Sequence, residues 1–131
     1  MSASNYLENE VLDHILGEGA KDYTAPTLYI GLLTGITDGE TGNVNEVPST
    51  FGYQRMGVNF ADAVSGVALN SSTVTFGPAN GGNWGVITHM AVYDAESAGN
   101  VLFYGALAIT KDVTDGDTFQ INPNAVSISL N

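Results

Sequence analysis

Residues 84–107 read WGVITHMAVYDAESAGNVLFYGAL, and this stretch decides the fold. Ile87, His89, Ala91 and Tyr93 alternate with Val86, Thr88, Met90 and Val92, which is the period of a β-strand. The small polar run 94–100 contains a glycine and gives way to the apolar run 101–107. Two such runs joined by a loop of this composition predict a β-hairpin. Both faces of the hairpin are largely apolar. Both therefore need cover, as inside a sandwich or at a subunit contact.

The flanking sequence supplies more strands at short intervals. Residues 27–34 (TLYIGLLT) predict a strand that is apolar on both faces. Residues 35–50, rich in Gly, Asp, Glu, Asn and Thr, predict a long loop. Alternation resumes over 53–60, with Met56, Val58 and Phe60 facing in and Arg55 and Asn59 facing out. A short strand at 73–76 ends before Pro78 and the Gly81-Gly82 pair. Asp115-Gly116 predicts a turn between strands at 109–113 and 118–121. Val126, Ile128 and Leu130 alternate with Ser127 and Ser129 in a last strand.

One helix precedes them, over residues 4–16. Ser4 or Asn5 can cap it, and Asn5 with Glu8 has the spacing of a capping box. Leu7, Val11 and Ile15 fall on one stripe, flanked by Leu12 and Leu16, so the helix must lie on something, its own sheet or a neighbouring subunit. The fold expected is all-β: a jelly-roll-like antiparallel β-sandwich of about eight strands behind one short N-terminal α-helix. It fits a single domain, with 1–20 as helix and arm and 27–131 as sandwich.

Charge narrows the function. Fourteen Asp and Glu stand against Lys21, Arg55 and Lys111, a formal net charge of −11. Binding to a nucleic-acid backbone or an anionic membrane needs clustered Lys and Arg, so neither partner is expected. An acidic exterior favours a basic partner surface. The absence of cysteine excludes disulfides and Cys-based zinc sites. No apolar run approaches the roughly 20 residues of a membrane-spanning helix. The start, MSASNYLENEV, lacks the basic region of a secretory signal, and the mature protein is expected to begin near Met1.

No chemistry emerges from the motifs. His14 and His89 both sit in apolar periodic segments, where a histidine reads as structural. There is no G-x-S-x-G elbow, no G-x-G-x-x-G and no Walker A pattern, so neither an enzyme nor a cofactor is expected. Asp38, Glu40, Asn43, Asn45 and Glu46 are oxygen-rich, as are Asp112, Asp115 and Asp117. Neither group has EF-hand spacing, and both read as acidic loops without a metal. Trp84, Phe76, Phe103, Tyr93 and Tyr104 could make a sugar-stacking platform. The stronger reading puts Trp84, His89, Tyr93 and Phe103 in the structural core, with the indole N–H bonded near a sheet edge. Tyr6, Tyr23 and Tyr53 lie near element ends and suit subunit contacts.

Several segments together resemble a known family. They are WGVITHMAVYDA at 84–95, NVLFYGAL at 100–107, SNYLENEVLDH at 4–14, YTAPTLYIGL at 23–32, GYQR at 52–55 and GDT at 116–118. The sequence resembles small tailed-bacteriophage virion proteins, often labelled tail fibre proteins; similar small jelly-roll proteins act as capsid cement or decoration proteins. The resemblance implies a virion structural role. The expectation is a decoration protein on the outer capsid surface, bridging subunits of the major capsid protein and self-associating as a homodimer or homotrimer. The alternative is a tail fibre or tail-tip component that touches glycans. Partner contacts are expected on the helix (Tyr6, Leu7, Val11) and around the 35–50 loop (Asp38, Glu40, Glu46, Tyr53).

Overall fold

The predicted hairpin is the centre of the molecule. In a computed structural model that describes residues 1–17 and 22–130, strand β7 (Gly85–Tyr93) pairs antiparallel with β8 (Val101–Val113). Two irregularities interrupt the ladder, a one-residue shift between Val92 and Tyr93 and a larger break between Ile87 and His89. Ile87 lies opposite Lys111, but His89 lies opposite Ala106, so residues 107–110 bulge out and Ile109 is 85% exposed. The break also shifts which side chains face inward. Ile87 shares the main core with Met90 and Val92, whereas Ala91 and Tyr93 face the other side. The strict alternation expected over 86–93 therefore fails at the bulge.

Strand β2 (Tyr29–Asp38) pairs along the far side of β7, with Ile30 opposite Val92 and Leu32 opposite Met90. It is longer than expected because residues 35–50 are not one long loop. The chain turns at residues 39–42 and returns as β3 (Asn43–Glu46), paired back on β2. β3 is an edge strand whose alternate residues meet solvent, which accounts for its polar composition. β4 is only Met56–Gly57, beside Ile30 and Tyr29. At the opposite edge, β1 (Ser2–Ala3) lies against Tyr104 and Phe103.

Two ribbons form the second layer. β5 (Val67–Leu69) pairs with β10 (Ser127–Ser129), and β6 (Val74–Phe76) pairs with β9 (Phe119–Ile121). The Asp115-Gly116 turn forms, with the Asp117 N–H donating to the Thr114 carbonyl. It does not close a hairpin: β9 leaves β8 and crosses to β6, so this turn carries the chain from one layer to the other. The result is the expected all-β, antiparallel, sandwich-like fold with one short helix, built from ten strands among the described residues.

The core lies between the layers. Ile30, Leu32, Ile87, Val92 and Val113 from the sheet meet Val74, Phe76, Phe119, Ile121, Val126 and Ile128 from the ribbons. Burying each such side chain contributes about 1.5–3 kcal/mol. Phe76 meets Phe119 edge-on at 6.0 Å, and Tyr53 meets Trp84 edge-on at 5.4 Å. One fully buried polar side chain joins the segments. Asn70 Nδ2 donates to the carbonyls of Ser72 (3.1 Å) and Asn122 (2.9 Å), and its Oδ1 accepts from the Val126 N–H (2.8 Å). Among the described residues, no helix is long and apolar enough to cross a membrane.

Candidate functional site

Several carboxylates serve the backbone. Asp38 Oδ1 accepts from the Glu40 N–H, and Asp115 Oδ1 accepts from the Gly81 N–H. Asp117 accepts from the Thr114 N–H and hydroxyl, which holds its carboxyl below the usual value. Among the described residues no group of three His, Cys, Asp or Glu is placed to hold a metal ion. His89 shares a hydrogen bond of 2.7 Å with the neighbouring Thr88 hydroxyl.

The helix α1 (Asn5–Leu16) presents the first candidate surface. Ser4 is its N-cap, and the Asn5–Glu8 box is not used. Ser4 Oγ accepts from the Leu7 N–H (3.4 Å) and donates to the Val101 carbonyl (2.5 Å). This fixes the first turn to β8 and buries Leu7. Beyond that turn the apolar stripe is open: Val11 is half-buried, and Leu12, Ile15 and Leu16 are exposed. Leu7, Val11 and Leu12 wall a groove of about 540 Å³ whose other side includes Leu28, Phe103 and Leu130. A second groove of about 320 Å³ shares those last three residues and continues to Phe60 and Ile128. Tyr23 stands in the wall of the first groove, and its N–H donates to His14 Nδ1 at 3.2 Å.

A different cluster occupies the outer face of the sheet. Arg55 was expected to point to solvent, yet only 9% of its side chain is exposed. Its Nε and Nη2 donate to the two carboxylate oxygens of Glu46 at 2.9 and 2.8 Å. Its Nη1 donates to the carbonyls of Ala95 (2.9 Å) and Ala98 (2.7 Å) in the β7–β8 loop. The Tyr53 hydroxyl donates to Glu46 (2.7 Å) and accepts from the Leu32 N–H (2.9 Å). Burial, then the Glu46 carboxylate, pushes this hydroxyl far above the ordinary tyrosine value. Burial also pushes Tyr93 up to about 12. Gly31 makes the room: a Cβ there would stand 2.7 Å from both the Tyr93 ring and the Glu46 carboxylate.

The residues expected at a partner contact therefore fall in three places. Leu7 and Val11 line the apolar groove. Tyr6 and Glu40 meet in a polar hollow of about 360 Å³ with Ser4, Asn5, Tyr93 and Asn100, next to exposed Asp38; the Glu40 carboxylate also accepts from the Tyr104 hydroxyl. Glu46 and Tyr53 are taken into the Arg55 cluster, and Tyr53 is buried. Of the residues assigned to the core, Trp84 and Tyr93 are buried, and the Trp84 indole N–H donates to the Phe51 carbonyl at 2.9 Å. Phe103 packs against the core from the groove side, and His89 is half-buried. Sequence reasoning missed Arg55 and Asn70; the only signal for Arg55 was that a cation is rare in this chain.

No curated protein matches the chain. The model of one family, described as Podophage GP4 fiber I protein gp80, matches residues 2–129. The match runs through β1, the helix, both layers and the Arg55 cluster, and a phage fibre family is one of virion structural proteins. The chain belongs to the podophage GP4 fiber I protein gp80 family.

Proposed function

We propose that the chain is a non-enzymatic subunit of a phage tail fibre that acts by fitting into a larger assembly. The observation that carries this reading is the open apolar face of α1 on an otherwise strongly acidic protein, together with the fibre named in the family description. An apolar stripe that its own sheet leaves uncovered needs a partner. Repeated copies make such contacts additive through multivalency. A partner that binds only the assembled state stabilises that state by mass action.

A second reading makes the chain a decoration protein on the outer capsid, bridging subunits of the major capsid protein. Its support is the globular two-layer form, without a fibrous repeat, and the acidic exterior. Copy number separates the two. Quantitative mass spectrometry of purified virions is expected to find a few to tens of copies, with cryo-EM density at the tail. Hundreds of copies spread over the head would overturn the tail reading and favour decoration.

A further inference from the structure

We propose that the apolar trough between α1, residues 22–28 and the end of β10 is a docking groove for an apolar segment flanked by lysine or arginine, carried by another virion protein. The trough is continuous, because its two parts share Leu28, Phe103 and Leu130. Its apolar lining residues are contiguous rather than singly scattered over the surface. Two of its walls are tied to neighbours: Ser4 holds the start of the helix to β8, and the Tyr23 N–H is bonded to His14. A preformed groove loses less ordering entropy on binding. The lining is aliphatic and aromatic, which suits the anchors of an amphipathic segment.

Charge selects the occupant. Glu8 lines the trough, Asp22 precedes the lining residue Tyr23, and Asp62 precedes the lining residue Ala63; all three carboxylates are exposed. Among the described residues no lysine or arginine lines the trough; in sequence Lys21 adjoins Asp22, one cation against the three carboxylates. Arg55 is engaged by Glu46, and the Lys111 amine donates to the Thr118 carbonyl. A second copy, also carrying a formal charge of −11, would set these carboxylates against their own kind. Such juxtaposition disfavours a partner, whereas basic flanks gain from it and quicken the encounter.

The proposal rests on the virion reading only for the source of the partner. The test uses the isolated chain, so its failure leaves the virion location standing, and the reverse holds too. Binding of a fluorescent leucine/lysine peptide of roughly 14 residues, in amphipathic helical spacing, is followed by anisotropy. It is compared with a leucine/glutamate twin and a serine/lysine twin. The leucine/lysine peptide is expected to bind saturably and more weakly as salt rises, with each twin at least tenfold weaker. Leu12→Glu and Leu130→Glu both change exposed residues, and each is expected to weaken binding about tenfold although each adds charge of the attractive sign. Ile109→Glu, on the remote bulge, is expected not to weaken it. Equal binding of the serine/lysine twin, or unchanged binding in both trough variants, overturns the proposal. So does sedimentation showing that the chain dimerises and that Leu12→Glu dissociates the dimer, for then the occupant is a second copy.

Discussion

The guanidinium of Arg55 sits over the ring of Tyr93, 3.4 Å from its centroid. That contact, the two bonds to Glu46 and the bonds to Ala95 and Ala98 make one side chain a joint between β3, the end of β7 and the β7–β8 loop. The outer face of the sheet thus carries a charged, hydrogen-bonded joint beside its small apolar cluster of Leu33, Ala91, Tyr93 and Val101.

Glu46→Ala removes the carboxylate and leaves the Arg55 cation enclosed without its partner. Breaking a buried pair from one side costs about 3–5 kcal/mol. Urea denaturation is expected to show a loss toward the lower end of that range, since Glu46 is 21% exposed. Arg55→Lys is expected not to preserve stability, because an ammonium cannot serve both carboxylate oxygens and the loop carbonyls in one plane. A wild-type denaturation midpoint in either variant contradicts the joint.

Alkaline pH tests the tyrosines. In the unfolded chain a tyrosine ionises near 10. In the folded protein Tyr53 lies far above that, and Tyr93 and Tyr104 are each pushed up to about 12, Tyr93 chiefly by burial and Tyr104 chiefly by its hydrogen bond to Glu40. The folded state therefore keeps protons that the unfolded state releases. Stability is full below about pH 10 and falls as pH rises above it. Denaturation midpoints measured from about pH 8 to 11 should bend downward near 10, and Tyr53→Phe should shallow the bend. A midpoint independent of pH across that window would refute the assignment.

Asn70→Leu keeps the branching at Cγ, adds some bulk and removes every polar atom of the side chain. The Val126 N–H and the carbonyls of Ser72 and Asn122 lose their Asn70 bonds. Each buried group left without a partner costs about 1–3 kcal/mol. Thermal unfolding should fall by many degrees, and amide exchange should quicken first at Val126. Loss confined to a degree or two would mean that water takes over the role.

Trp84→Ala separates scaffold from sugar platform. The indole is buried against Tyr53 with its N–H on Phe51, so truncation is expected to cost about 3–5 kcal/mol. Trp84→Phe should recover most of the packing and lose the hydrogen bond, about 1 kcal/mol. Glycan binding by the native chain that vanishes in a stably folded Trp84→Ala would reverse this assignment.

Gly31→Ala is a smaller probe of the same outer face. The added methyl meets the Tyr93 ring and the Glu46 carboxylate, neither of which is free to swing. Overpacking of this kind costs about 1–3 kcal/mol, read as a lowered denaturation midpoint. Native stability in this variant would show that the Arg55 cluster is loosely held.

How far the sequence reached depends on what each element needs. The β7–β8 hairpin was legible because its apolar alternation is local and dense. The helix was legible from its cap and stripe. β3 was hidden because an edge strand with one wet side carries the same Asn and Glu that mark loops. The turn at Asp115-Gly116 was found, but its outcome was not: whether a turn closes a hairpin or changes layer depends on partners distant in sequence. Arg55 was misplaced for a related reason. Alternation says which residues share a face, and only the packed structure says that Glu46 and Tyr93 cover that face. The stripe of α1 already asks for cover in the sequence; the structure adds the groove it walls and the acidic residues around it.

The bulge at residues 107–110 has a consequence for how copies of the chain behave side by side. β1 covers β8 only beside Phe103 and Tyr104, which leaves the rest of that outer border without a paired strand. A straight border there would be a template on which further chains could polymerise without limit. The outward loop with Ile109 at its crest, followed by Lys111, spoils that template. A particle component must be added in a fixed number, and a border that refuses a newcomer's backbone leaves the counting to contacts made elsewhere.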